Sequence, residues 1–126
     1  MKRHQRLAQA SRFRRVYQDG QSWPHRLLVL RALRNDLPHS RFGFVAGKRT
    51  GKAVVRNRVK RIMREAMRAQ LGNVPPGLDV VLIARAPIAA ASAQDVAEAV
   101  ASLVPRLVEA ESGSAHHTID RTCPLA

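Results

Sequence analysis

The stretch GKAVVRNRVKRIMREAMR, Gly51 to Arg68, decides how this chain is read. Counted from Val55 at about 100° per residue, Val59, Ile62, Ala66 and Ala69 fall within about 40° of one direction and form an apolar stripe of helical period. Met63 and Met67 sit on its boundary. Arg56, Lys60, Arg61, Arg64 and Arg68 sweep the other side against a single carboxylate, Glu65. The spacing predicts a helix over 52–70 that packs its stripe on a sheet and turns its guanidinium side outward.

That outward side is unfavourable for an isolated helix. Arg56/Lys60, Lys60/Arg64 and Arg64/Arg68 are like-charge i, i+4 pairs, and such pairs cost about what opposite pairs contribute, roughly 0.2 to 0.5 kcal/mol each. Phosphates relieve this cost by releasing condensed counterions, and arginine outnumbers lysine here, which suits forked phosphate contacts. A membrane-surface helix would want Trp, Phe and Leu on its apolar face, whereas this one offers Val, Ile, Ala and Met. A helix reading a DNA major groove would expose base-reading side chains near its start, and Asn57 is the good candidate of that kind. Structured RNA is the favoured partner; a structural RNA-binding protein of the ribosome or translation apparatus is the alternative that charge alone would allow.

The charge of the whole chain agrees. The formal net charge is +13 over 126 residues, which implies a polyanionic partner. Residues 1–34 hold nine Lys and Arg and one acid, residues 48–68 hold nine and one, and the rest after Arg68 holds three basic and six acidic residues. The length supports one domain with one core, expected over 1–111, with a flexible tail over 112–126 where periodicity is lost. Cys123 stands alone, so no internal disulfide is expected. No apolar run nears the roughly 18 residues of a membrane span and no signal segment is read, so a cytoplasmic chain with no membrane partner is expected.

Working outward, RFGFVAGKRTG before the helix alternates Phe42 and Phe44 against Gly43 and Val45, as a strand would. RLLVLRAL, Arg26 to Leu33, is a strand followed by the turn formers NDLPHS. The simplest pairing of these two is an antiparallel hairpin. Upstream, Phe13, Val16 and Tyr17 have helical spacing between Ser11, the candidate N-cap, and Gly20, the candidate C′ residue, so a helix over 12–19 is expected. Downstream, Gly72 and VPPG stop the basic helix. LDVVLIARAP is a strand apolar enough to be buried on both faces. In SAQDVAEAVASLVPRLVEAE, Val96, Val100, Leu103 and Leu107 mark a last helix with Ser92 as N-cap, to be kinked or split near Val104 by Pro105.

These residues resemble the bacterial ribonuclease P protein family. The resemblance lies in Arg56-Asn57-Arg58 and Lys60-Arg61 after Lys48-Arg49-Thr50-Gly51, in Leu7, Phe13, Val16 and Gly20, in Leu28 to Leu33, in Arg41 and Gly43, and in Asp79 to Arg85. It spans about residues 3–110 in the family's order.

The resemblance implies an α+β fold, a two-layer α/β sandwich of order αβββαβα in the manner of ribosomal proteins, with a left-handed βαβ crossover and an extra short strand over 21–25. It implies the protein subunit of an endoribonuclease that removes the 5′ leader of precursor tRNA, one protein per catalytic RNA. Catalysis belongs to that RNA and its Mg²⁺ ions, so no catalytic residue, no metal ligand and no cofactor is expected on this chain. Lys48, Arg49, Lys52, Arg56, Asn57, Arg58, Lys60, Arg61, Arg64 and Arg68 are then the expected RNA contacts. The leader-binding cleft is expected at Phe13, Val16, Tyr17, Arg31, Phe42 and Phe44, although each aromatic could equally be core. Where the family often carries an aromatic on the first long strand, this chain has Arg31, which would shift the cleft from stacking towards charge. His4, His25 and His39 are isolated and the nine acids form no convincing pair, which argues against acid/base chemistry carried by the protein.

Overall fold

In the computed structural model, which describes residues 5–112, the chain runs α1 (Ala10–Asp19), β1 (Gln21–Pro24), β2 (Leu28–Arg34), β3 (Arg41–Val45), α2 (Ala53–Arg68), β4 (Leu78–Ala84) and α3 (Ala93–Ser112). This is the αβββαβα order. The single sheet has strand order β1-β2-β4-β3. Ser112, the first residue of the tail expected over 112–126, ends α3; the rest of that tail, with Cys123, and residues 1–4, with His4, lie outside the described residues.

β4 takes a central seat because it is the strand that both faces of the sheet can bury: Leu78 to Leu82 are all buried. β2 pairs with it antiparallel, Leu30 opposite Leu82, and β3 pairs with it parallel, Phe42 opposite Val80. The expected hairpin between β2 and β3 is therefore wrong. The six residues joining them step across the width of β4 instead of turning tightly, and the antiparallel neighbour on the other side of β2 is the short strand β1. At the outer edge of β3, Leu7 N–H donates to Phe42 O at 2.9 Å, so the chain before α1 begins to cover that edge.

The two faces carry different loads. On one, Leu28, Leu30, Phe42, Val80 and Leu82 pack against Val59, Met63, Ala66 and Met67 of α2 and Val96, Val100, Leu103 and Leu107 of α3. On the other, Val81 meets Leu7 and Val16, with Phe13, Leu33, Val45 and Ile83 half-buried around them. The main core thus lies under α2 and α3, and α1 rests on the opposite face.

The helices depart from expectation in detail. α1 begins at Ala10 after Gln9, without a side-chain cap, and Ser11 lies inside it. Gly20 has φ −79, so it is not a left-handed C′ residue. What it needs is space: a Cβ there would lie 2.5 Å from Val16 O and 2.8 Å from Ala32 O. The buried stripe of α2 is rotated towards Met63 and Met67 and away from Ala69, which is exposed; methionine's long flexible side chain reaches the core from a boundary position. α3 is one helix through Pro105, not two. Ser92 does cap it: Asp95 N–H donates to Ser92 Oγ and Ser92 N–H to Asp95 Oδ2, each at 3.1 Å, a reciprocal capping box.

Candidate nucleic-acid interface

The basic surface starts before α2. Lys48, Arg49 and Lys52 are exposed around a 3-10 turn, Lys48–Thr50, and Gly51 follows with φ 145, a conformation that favours glycine. A Cβ at Gly51 would also press on Val55 at 3.1 Å. The first turn of α2 holds no acid and its cap, Lys52, makes no side-chain cap bond, so the positive end of the helix dipole adds to the three cations.

Along α2 the expected contacts divide. Asn57, Arg61 and Arg68 are exposed, whereas Arg56, Arg58, Lys60 and Arg64 are half-buried on the flanks. Arg58 Nη2 donates to Ala89 O at 2.9 Å and so ties α2 to the 3-10 turn after β4. Arg64 lies 5.6 Å over the ring of Phe44. Arg68 pairs with Glu65 at 3.2 Å. Arg56 was expected opposite the apolar stripe; because the stripe turns towards Met63, Arg56 borders it, and its Nε is buried without an acceptor among the described residues. The side chains of Lys48, Arg49, Lys52, Lys60 and Arg61 form no ion pair or hydrogen bond with any described residue. Amid them Val54 is 80% exposed, an apolar contact point that charge counting passes over.

The second feature is a groove of about 660 Å³ beside α1, lined by Ala8, Ala10, Phe13, Arg14, Tyr17, Gln18 and Val45. Of the residues expected there, Phe13 and Tyr17 line it. Val16 does not, being fully buried beneath α1. Phe42 and Phe44 do not either: they belong to the core on the α2 side of the sheet. Period two along β3 puts Gly43 and Val45 on the α1 face instead, and Phe13 lies so close on Gly43 that a Cβ there would be 2.4 Å from its Cζ. Ala10, Arg14 and Gln18 were missed, though they share the helical face of Phe13 and Tyr17 at i, i+3, i+4 spacing.

Arg31 reaches this region but is engaged. Its Nε donates to Val16 O at 3.3 Å and its Nη2 to Tyr17 O and to Gly20 O, the latter at 3.4 Å. Its guanidinium also lies 5.8 Å over the Tyr17 ring. Burial raises the Tyr17 phenol above its ordinary pKa against the lowering pull of Arg31, so the ring stays neutral.

Near the start of α1 lies a cluster the sequence did not disclose. The Asp79 side chain is fully buried and accepts from Arg12 Nε at 2.8 Å, from Arg41 Nε and Nη2 at 2.8 Å each, and from Asn35 Nδ2 at 2.9 Å. Burial alone would raise its pKa; the hydrogen bonds from Arg41, Asn35 and Arg12 outweigh it and hold the carboxyl below its ordinary range. One carboxylate thereby joins α1, β3 and the loop between β2 and β3.

Among the described residues no group of three or more His, Cys, Asp or Glu is placed to hold a metal ion, and the lone pairs of Asp79 are already taken. His25 accepts from Leu27 N–H at Nδ1, 3.0 Å, which stabilises the turn into β2. No helix of the described residues is long and apolar enough to cross a membrane.

Comparison with known proteins gives a consistent picture. Residues 1–108 match the model of the family described as Ribonuclease P. The ribonuclease P protein component of Roseiflexus castenholzii is 43% identical over 109 residues, which is 86% of this chain and 87% of the relative. That of Clostridioides difficile is 39% identical over 79% of this chain and 89% of its own length. Among solved structures, the RNase P protein of Thermotoga maritima superimposes with a TM-score of 0.73 at 30% identity, over 80% of this chain and 96% of the other. The Staphylococcus aureus RNase P protein gives 0.74 at 26% identity, over 80% and 93%.

Proposed function

The chain belongs to the ribonuclease P protein family, and from that premise we propose that the cations on and before α2 seat it on the catalytic RNA while the groove beside α1 takes the single-stranded 5′ leader of precursor tRNA. The family membership makes it the protein component of the tRNA 5′-processing holoenzyme, in association with the ribonuclease P RNA. The assignment of surfaces, one protein per RNA, and the cytoplasm as the place of work are this reading's own.

One observation carries the division of labour. Among the described residues, Lys48, Arg49, Lys52, Lys60 and Arg61, whose side chains have no partner, cluster on and just before α2, whereas Tyr17, the exposed aromatic, stands over the groove on the other face of the sheet. Unpaired guanidinium and ammonium groups bind phosphate without reading sequence. An aromatic in a shallow apolar groove stacks any base for about 1 to 3 kcal/mol, with phosphate contacts available from a neighbouring cation such as Arg14. That combination suits leaders of varied sequence.

Bond cleavage requires a metal-activated water, a role that belongs to Mg²⁺ held by the RNA in this reading; the described residues offer no donor set for it. The protein's part is to bind and orient. Reconstitution tests the whole: at low Mg²⁺, adding the protein to its cognate RNA should raise precursor cleavage, and no gain would overturn the reading. Arg61→Ala should weaken binding to the catalytic RNA without affecting the fold.

A further inference from the structure

We propose that α1 is a clipped-on wall whose position over the sheet is set by Asp79 and Arg31, two positioning residues that thereby fix the groove for the leader; this rests on the leader-groove reading above.

Hydrophobic burial alone holds α1 weakly. Of its ten residues Val16 is the buried one, and Phe13 adds a half-buried ring. What locates the helix is a pair of arginine clips near its two ends. Towards the N-terminal end, Arg12 on the helix reaches down to Asp79 on β4 at 2.8 Å. At the C-terminal end, Arg31 on β2 reaches up to the carbonyls of Val16, Tyr17 and Gly20; Val16 O also accepts from Gly20 N–H at 3.0 Å, and Tyr17 O, in the last turn, is of the kind that a helix end leaves without an intrahelical partner. The clips run in opposite senses, helix to sheet and sheet to helix, and both are charge-assisted.

The sheet-side anchor of the first clip cannot swing. Arg41 and Asn35 occupy the remaining lone pairs of Asp79, so Arg12 is drawn to one place. Phe13 and Tyr17, one turn apart on the groove side of α1, take their places from the helix axis, and Phe13 must rest on Gly43 with no room for a Cβ. Asp79 has no exposed side-chain surface, so it cannot touch a leader. Any effect it has on leader binding must travel through α1.

The test uses the holoenzyme reconstituted from the full chain and its cognate RNA, with precursor tRNA and leaderless mature tRNA as the two ligands. Asp79→Asn keeps the shape and removes the charge; Arg31→Met keeps an unbranched apolar stem and removes the donors. Each should weaken precursor binding by about tenfold while binding of mature tRNA and of the catalytic RNA stays near wild type, because a misplaced groove affects only the ligand it holds. Arg31→Lys, which keeps the charge but loses the fork, should behave as Arg31→Met; recovery by lysine would assign Arg31 to leader phosphates and overturn its positioning role. Should Asp79→Asn fail to fold, the Arg31 pair decides alone.

A photoreactive benzophenone amino acid at Gln18, on the groove side, separates this proposal from the reading beneath it. A cross-link from wild-type holoenzyme to the leader, with reduced yield in both variants, is the expected result. A cross-link together with wild-type precursor affinity in both variants, or an equal loss for precursor and mature tRNA, overturns the clips and leaves the groove. Absence of any leader cross-link from the wild type overturns the groove reading and the clips with it.

Discussion

A methyl group at Gly43 would lie 2.4 Å from Cζ and 2.6 Å from Cε1 of Phe13, closer than packed atoms come, so one of the two must give way. Gly43→Ala should keep the fold at an overpacking cost of about 1 to 3 kcal/mol, because a ring can tilt where a strand cannot. Thermal melting reads that cost. The tilted ring should also weaken precursor binding, and unchanged affinity would show that Phe13 lends nothing to the groove. Arg61 is the opposite case: exposed and without a partner among the described residues, it should be replaceable by alanine within about 0.5 kcal/mol of stability. RNA affinity should nonetheless fall, and the log–log salt slope should shrink by about 1, because one fewer phosphate is neutralised. A large drop in melting temperature for Arg61→Ala would make it structural. Arg58, on the same helix, already has a structural task at Ala89 O, so its substitution should affect stability and binding together.

At the scale of the element, α2 is held by Val59, Met63, Ala66 and Met67. Val59→Asp should unfold the domain by placing an unpaired charge under the helix, and Met63→Ala should cost about 2 to 5 kcal/mol in chemical denaturation; a native-like melting curve for Val59→Asp would contradict the packing. The existence of α2, β4 and α3 could be read from the sequence because local periodicity records burial. Partner choice could not. The hairpin expectation for β2 and β3 failed because the strand that separates them, β4, begins only after α2 and claims the centre by being apolar on both faces. The same limit split the expected cleft. Alternation along β3 does put Phe42 and Phe44 opposite Gly43 and Val45, but nothing local says which face α1 will cover. The Asp79 cluster was beyond reach for a related reason, since its partners lie 38, 44 and 67 residues away along the chain.

For the whole molecule, the formal charge of +13 makes self-repulsion a standing cost to the folded state. Acid increases that cost by protonating surface carboxylates, and it also attacks the one charged side chain found buried among the described residues, Asp79. The two effects can be separated. Asp79 has a folded pKa below its ordinary value, so on acidification the unfolded chain takes up the proton first. Its contribution is therefore complete above the ordinary carboxylate range and is lost as pH falls through that range towards the lower folded pKa, with a slope of up to about 1.4 kcal/mol per pH unit. Surface repulsion grows equally in wild type and in Asp79→Asn, so the difference between their denaturation free energies isolates the buried group. That difference should be constant from pH 7 down to the carboxylate range and should narrow below it as Asp79 takes up its proton in the unfolded wild type. The native cluster of Asp79 with Arg12, Arg41 and Asn35 persists until pH reaches the lower folded pKa, so groove-side fluorescence from Tyr17 in the folded protein should change only below the interval over which stability falls. Parallel curves for the two proteins through acid would mean that Asp79 contributes no charge-dependent stability.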